Sequence, residues 1–180
     1  DTLEAIAPMV AFSELMSVKL EYVGVHAGRV HTRLLDIEVE RSFDQIQQLD
    51  MLVVPGGEAS AVAGLASTPG LQDWLRRIDS GTRLTAGIGN GNEVLASANV
   101  AVPAVTGERY RQQGKYWVSS ASSAALDMSL AMLQSIGGTR HLQAAMLDLE
   151  YDPQPPDLGG SMQAQSTAAS PLPLEVGILI

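Results

Sequence analysis

Two short apolar runs constrain this chain more than any other feature. "DMLVVPGG", Asp50 to Gly57, and "LEVGILI", Leu174 to Ile180, leave almost no polar position for a solvent face. Strands of that kind are covered on both sides, as in parallel sheets flanked by helices. Strand-like and helix-like stretches alternate along the rest of the chain, which argues for an α/β layered fold with a mostly parallel sheet.

The helical stretches have apolar residues at helical spacing: "EAIAPMVAFSELM", "PGLQDWLRRIDSG" closed by Gly81, "SAALDMSLAMLQSIGG" with a serine start and a glycine stop, and "HLQAAMLDLEY". Trp74 with Leu71, Leu75 and Ile78 reads as a core stripe, and Arg76 with Arg77 as a solvated face. Met128 and Met132, one helical turn apart, read as core filler. Asp127 reads as a helix-packing or hydrogen-bonding residue.

"VKLEYVGV" has strand alternation, "RVHTRLLDIEVE" reads as a small hairpin or two extended pieces, and "YRQQGKYWVSS" as two short strands about a glycine turn. The segment 152–173, "DPQPPDLGGSMQAQSTAASPLP", is poor in large apolar residues and cannot bury a core of its own. The expected organisation is an α/β domain over 1–151, a Pro/Ser/Gly-rich linker over 152–173, and a core strand of the same domain over 174–180.

A length of 180 residues fits one domain. No apolar run reaches the roughly 18 to 20 residues that span a bilayer, and no basic-then-apolar leader opens the chain, so no membrane association and a cytoplasmic location are expected. Twenty acidic against 11 basic residues give a formal charge of −9, which repels a phosphate backbone and argues against nucleic acid. The chain has no cysteine, which excludes disulfides and thiolate chemistry from its own side chains. His26 and His31 are read as flanking a Gly-Arg turn, and His141 falls in a helix. None of the three has a second ligand at metal-like spacing, so neither a metal nor a cofactor is expected.

The stretch "TAGIGNGNEVLASA", Thr85 to Ala98, runs from the strand Arg83 to Ile88 through three alternating glycines into the helix Asn92 to Ala98. A turn at such a junction lifts a reactive side chain into the open in hydrolase-type α/β proteins. Its middle position is Gly89, which has no side chain. Read alone, the glycines equally serve a tight turn or close helix packing.

In order, "DMLVVPGG", "QDWLRRIDSGTRLTAGIGNGNEVLASA", "WVSSASSAALDMSLAMLQSIGG" and "LEYDPQPPD" resemble the ThiJ/PfpI superfamily, and within it the isonitrile hydratase-like branch. The similarity covers most of Glu4 to Asp157. "YDPQPP" is its most branch-specific part, and the strand ending in Pro-Gly-Gly is shared with glutamine amidotransferase relatives. The resemblance implies a flavodoxin-like three-layer sandwich, usually dimeric, acting on a small-molecule substrate. It also implies an elbow cysteine, which maps onto Gly89, and a carboxylate a few residues before a proline, which maps onto Glu4 ahead of Pro8. Gly56, Gly57, Asn90, Gly91, Ser122 and Ser123 fall on the stretches that line the family's pocket, as do Ser119 and Ser120.

Family chains begin with a strand that leads into the carboxylate helix, whereas here that strand looks like "LEVGILI" at the far end. A circular permutation is therefore expected, whether natural, engineered or produced by a break in the chain. A family segment with Thr-x-His-Trp after the elbow helix has no counterpart between "ANVAVPA" and "VTGERYRQQGKYW".

Three readings follow. One is an isonitrile hydratase-like enzyme whose nucleophile position is Gly89, inactive or altered as it stands. Another is a thiol-independent enzyme in which Glu4 is acid and base beside a backbone oxyanion pocket at Asn90 and Gly91, faced by Gly56 and Gly57. The last is a pseudoenzyme that binds a small molecule. Glu4 is also, more simply, an acidic residue in a helix's first turn, and Ser122 is as well placed to cap a helix as to touch a ligand.

Overall fold

The computed structural model describes residues 1–120, 122–154 and 173–180. In chain order the elements are α1 (Thr2–Phe12), β1 (Val18–Gly24), β2 (Gly28–His31), β3 (Asp36–Val39), β4 (Arg41–Ser42), a 3-10 turn (Phe43–Gln45), β5 (Met51–Val54), α2 (Ala59–Ala66), α3 (Leu71–Gly81), β6 (Leu84–Ile88), α4 (Gly91–Ser97), β7 (Tyr110–Gln113), β8 (Tyr116–Ser119), α5 (Ser122–Gly137), α6 (Thr139–Asp148) and β9 (Leu174–Leu179). Seven strands form one sheet in the order β4-β1-β9-β5-β6-β8-β7, and β2 pairs with β3 in a separate hairpin. Every pairing in the large sheet is parallel except β7 with β8.

The apolar runs occupy the middle of that sheet. β9 pairs with β1 from Val18↔Leu174 to Val23↔Leu179, and with β5 from Met51↔Val176 to Val53↔Ile178. Alternate residues then serve two separate cores. Met51, Val53, Ala86, Ile88, Val176 and Ile178 meet Phe12 of α1 and Met128 and Met132 of α5 on one face. Leu52, Val54 and Leu179 meet Val62, Trp74, Leu75 and Leu95, from α2, α3 and α4, on the other. With both faces covered by helices, these strands need no polar side, which explains their composition.

Two local features differ from the sequence reading. Gly28 and Arg29 begin β2, and the hairpin turns at 32–35, where Thr32 closes it through Nα and Oγ1 contacts to the Leu35 carbonyl at 2.9 and 2.7 Å. The Gly-Arg pair is therefore not a turn. The helix α2 escapes an apolar-spacing search because only Val62 of its eight residues is buried. The expected linker falls largely on residues 155–172, outside the described residues.

Candidate active site

The site lies where β5 and β6 end. β6 runs into Gly89, whose φ of +53° is in the left-handed region that favours glycine, and two residues later α4 begins. The Gly89 amide donates to the Ser119 carbonyl at 2.9 Å, and its own carbonyl accepts from Nδ2 of Asn92 at 2.9 Å. This holds the turn between β8 and the first turn of α4. A side chain at position 91 would put its Cβ 2.3 Å from the Val54 carbonyl oxygen, so the elbow presses on the end of β5 and tolerates only glycine there.

Glu4 enters from the opposite side, on the first turn of α1. Asp1 caps that helix by accepting from the amides of Leu3 and Glu4 at 3.0 and 3.4 Å. Pro8, inside α1, has no N–H to give the Glu4 carbonyl. The Glu4 side chain is buried, 7% exposed. Its Oε2 accepts from the Gly56 amide at 2.8 Å and its Oε1 from the Ser122 hydroxyl at 3.2 Å. A Cβ built on Gly89 would lie 3.4 and 3.5 Å from those two oxygens, in ordinary van der Waals contact. The side chain that position 89 lacks would thus begin against the Glu4 carboxylate.

The backbone donors are arranged differently from the sequence expectation. Gly56 and Gly57 do face the elbow, but both amides are engaged: Gly56 by Glu4, and Gly57 by Oδ1 of Asn90 at 2.9 Å. Nδ2 of Asn90 returns a bond to the Gly57 carbonyl at 2.9 Å, so this side chain clamps the elbow to the β5 loop. Gly56 must be glycine, because a Cβ there would lie 2.4 Å from Asn90 Oδ1 and 2.8 Å from Glu4 Oε2. Ser122 is the first residue of α5, and its hydroxyl serves Glu4. Ser123 stands apart from this group and accepts from Nη2 of Arg109 at 3.3 Å.

Beside the elbow opens a cavity of about 600 Å³, with Gly89, Asn90, Glu93, Val105, Arg109 and Ser119 among its walls. Sequence reasoning missed the anchor of that wall. Arg109 binds the fully buried Asp127 through Nε at 2.7 Å, and Asp127 also accepts from the Tyr151 hydroxyl and the Gln154 amide, both at 2.8 Å. Burial, reinforced by the Asp127 carboxylate, raises the Tyr151 phenol above its ordinary value. The "YDPQ" stretch, Tyr151 to Gln154, is therefore the part that ties onto Asp127. Ser119, which the resemblance placed on the pocket-lining stretch, is fully buried, and its hydroxyl has no hydrogen-bond partner among the described residues.

The histidines lie outside this arrangement, His31 pairing with Asp36 at 2.5 Å and His141 with the Gly137 carbonyl at 2.6 Å. Among the described residues no group of three or more His, Asp or Glu side chains could hold a metal ion, and no helix is long and apolar enough to cross a membrane.

With an elbow at a strand-helix junction facing a helical carboxylate, comparison with known proteins becomes decisive. The sequence pattern of the DJ-1/PfpI family matches residues 1–125. The chain belongs to the DJ-1/PfpI family. Isonitrile hydratase of Pseudomonas putida is a distant relative, 24% identical over 154 residues, which cover 74% of this chain and 66% of that protein. Among solved structures, a ThiJ/PfpI family protein from Pseudomonas syringae superposes with a TM-score of 0.78 at 22% identity, over 91% of this chain and 75% of the other. DJ-1beta of Drosophila melanogaster superposes with a TM-score of 0.73 at 20% identity, over 84% and 92%. The flavodoxin-like sandwich, with its mostly parallel sheet, is thus the fold of this DJ-1/PfpI member.

Proposed function

We propose that this site is of the isonitrile hydratase type, with its acid-base group present and its side-chain nucleophile absent. The observation that carries the reading is the contact between Glu4 and the side-chain position of Gly89, at 3.4 and 3.5 Å. In the expected chemistry a nucleophile at the elbow adds to the terminal carbon of R–NC while the carboxyl group delivers a proton to that carbon. Water then releases R–NH–CHO. Gly89 cannot supply the nucleophile, so turnover through a protein-bound adduct is lost in this chain. Gly56 and Ser122 orient the carboxyl group, Gly57 with Asn90 fixes the elbow, and on this reading the amides of Asn90 and Gly91 are the donors assigned to developing charge. Ser123 supports the wall through Arg109.

Replacing Gly89 by cysteine tests this reading. The left-handed backbone makes a side chain there cost about 1–2 kcal/mol, which a folded domain tolerates. The expected result is formation of N-substituted formamide from a small isonitrile, absent in the parent protein. A folded Gly89→Cys protein without turnover overturns the reading.

A thiol-independent reaction, in which Glu4 works on water directly, is favoured by one specific observation: Glu4 holds only neutral hydrogen-bond donors. It predicts parent turnover that Glu4→Gln abolishes. Ligand binding without turnover in either protein would mark a pseudoenzyme instead. The resemblance further supports a homodimer in the cytoplasm and a circular permutation that moved the first family strand to β9. The central position of β9, beside β1 and β5, suits that rearrangement.

A further inference from the structure

Asn90 and Gly91 form the one Asn-Gly pair in the chain, and the fold demands both members. Gly91 lies so close to the end of β5 that a Cβ there would strike the Val54 carbonyl oxygen and the Pro55 backbone. Asn90 engages both backbone groups of Gly57, accepting from its amide on Oδ1 and donating to its carbonyl from Nδ2, each at 2.9 Å. A side-chain amide offers an acceptor beside a donor, whereas an ionised carboxylate accepts only and cannot make that clamp.

The pair so required is chemically labile. Asparagine is a thermolabile residue, and a following glycine has no Cβ to keep its amide nitrogen away from the asparagine side chain. Two features of the elbow favour that approach in the folded protein. The Gly57 amide already sits on Oδ1, the oxygen that takes up charge when the Gly91 nitrogen adds to Cγ, as a donor of an oxyanion hole would. Asn90 is also half-buried and lines the cavity of about 600 Å³, which brings water to it. Asn92 lines the same cavity without these advantages: Glu93 follows it, and its Oδ1 has no hydrogen-bond donor among the described residues. Asn99 is followed by the branched Val100.

We propose that Asn90 is a site of spontaneous deamidation in the folded protein, and that its conversion opens the clamp between the elbow and the β5 loop. The modification is independent of the hydratase reading. The Gly91 nitrogen bonds to Cγ of Asn90, its proton passes through water to Nδ2, and the Cγ–Nδ2 bond breaks with release of ammonia, closing a five-membered imide. Water then opens the imide at Cγ, giving aspartate, or at the main-chain carbonyl, giving isoaspartate. One water is consumed and one ammonia released, with no oxidant or reductant. In the aspartate product an oxygen replaces Nδ2 and faces the Gly57 carbonyl, so two acceptors meet where a hydrogen bond stood. The isoaspartate product lengthens the main chain at the elbow itself.

The test incubates the folded parent protein in mildly alkaline buffer and follows the tryptic peptide 84–109, released after Arg83 and Arg109, by mass spectrometry with fragmentation, which reads the three asparagines separately. The expected result is a one-dalton gain at Asn90 at least tenfold faster than at Asn92 or Asn99, as a mixture of aspartate and isoaspartate, while circular dichroism shows the chain folded. The aged protein and Asn90→Asp both unfold at lower urea than the parent, and the Gly57 amide resonance moves in both. If Asn90→Asp does not fold, the aged parent carries both readouts. An Asn90 rate in the folded protein no greater than that of Asn92 or Asn99 overturns the proposal, even if Asn90 leads after unfolding in urea. An aged protein with the parent's urea midpoint and an unmoved Gly57 resonance overturns the opening of the clamp.

Discussion

Glu4 and Asp127 are buried carboxylates on helices of the same sheet face, and they are held in opposite ways. Asp127 has the Arg109 guanidinium, a tyrosine hydroxyl and a backbone amide around it. Glu4 has one amide and one serine hydroxyl, and among the described residues no cation pairs with it. The two other buried acids follow Asp127: Glu21 is bound by Arg41 and Lys19, and Asp79 by Lys115 together with Thr85 and Tyr116. A buried charge without a counter-charge is costly, so the three paired acids read as architecture and the unpaired one as chemistry.

The largest effect that would sharpen this contrast comes from Asp127→Ala, which strands Arg109. Removing one partner of a buried pair costs about 3–5 kcal/mol, and because Arg109 keeps 38% of its side chain exposed, the lower end is expected. At about 2–4 °C per kcal/mol in a chain of this size, calorimetry would show a fall in Tm of roughly ten degrees. Next comes Gly91→Ala, whose Cβ meets the end of β5; urea unfolding should show a loss of about 1–3 kcal/mol, and an unchanged midpoint would mean the elbow is not pressed on that strand.

Glu4→Gln should behave unlike either. Glutamine keeps an acceptor for Gly56, so stability stays within about 1 kcal/mol by the same urea measurement, while any turnover is lost. A destabilisation as large as that of Asp127→Ala would break the contrast.

The smallest effect is that of Glu21 on acid stability. Burial pushes its carboxyl upward, but the Arg41 hydrogen bond and charge outweigh that and hold it below the ordinary 4.5. Its contribution is therefore full above about pH 4.5 and is lost as pH falls through the lower folded-state value. Glu21→Gln should flatten that acid limb in a series of pH-dependent unfolding curves, with no change in its shape at neutral pH.

The central strands were legible because burial on both faces leaves a mark on composition: Met51–Val54 and Leu174–Leu179 could hardly be anything else. The elbow was legible through its glycines; Gly91 proves to be demanded by close backbone approach, and Gly56 by the Asn90 and Glu4 side-chain oxygens pressed against it. What remained hidden depends on contacts between distant segments. Nothing local to Asp127 announces that Tyr151 and Gln154, more than 20 residues on, will fold back onto it. The engagement of Gly57 by Asn90 was equally invisible, because a glycine-rich loop looks the same whether its amides are free or bonded. α2 was overlooked for a simpler reason, since a helix with one buried residue has no stripe to read.

The central claim, that Glu4 is the working acid of an elbow without its nucleophile, is tested most directly by comparing Gly89→Cys with the double variant Gly89→Cys/Glu4→Gln on a small isonitrile. The account predicts formamide from the single variant and a rate lower by roughly 10²-fold or more in the double variant, the scale of a lost general acid. Equal rates in the two variants, or a folded single variant with no product, would contradict it.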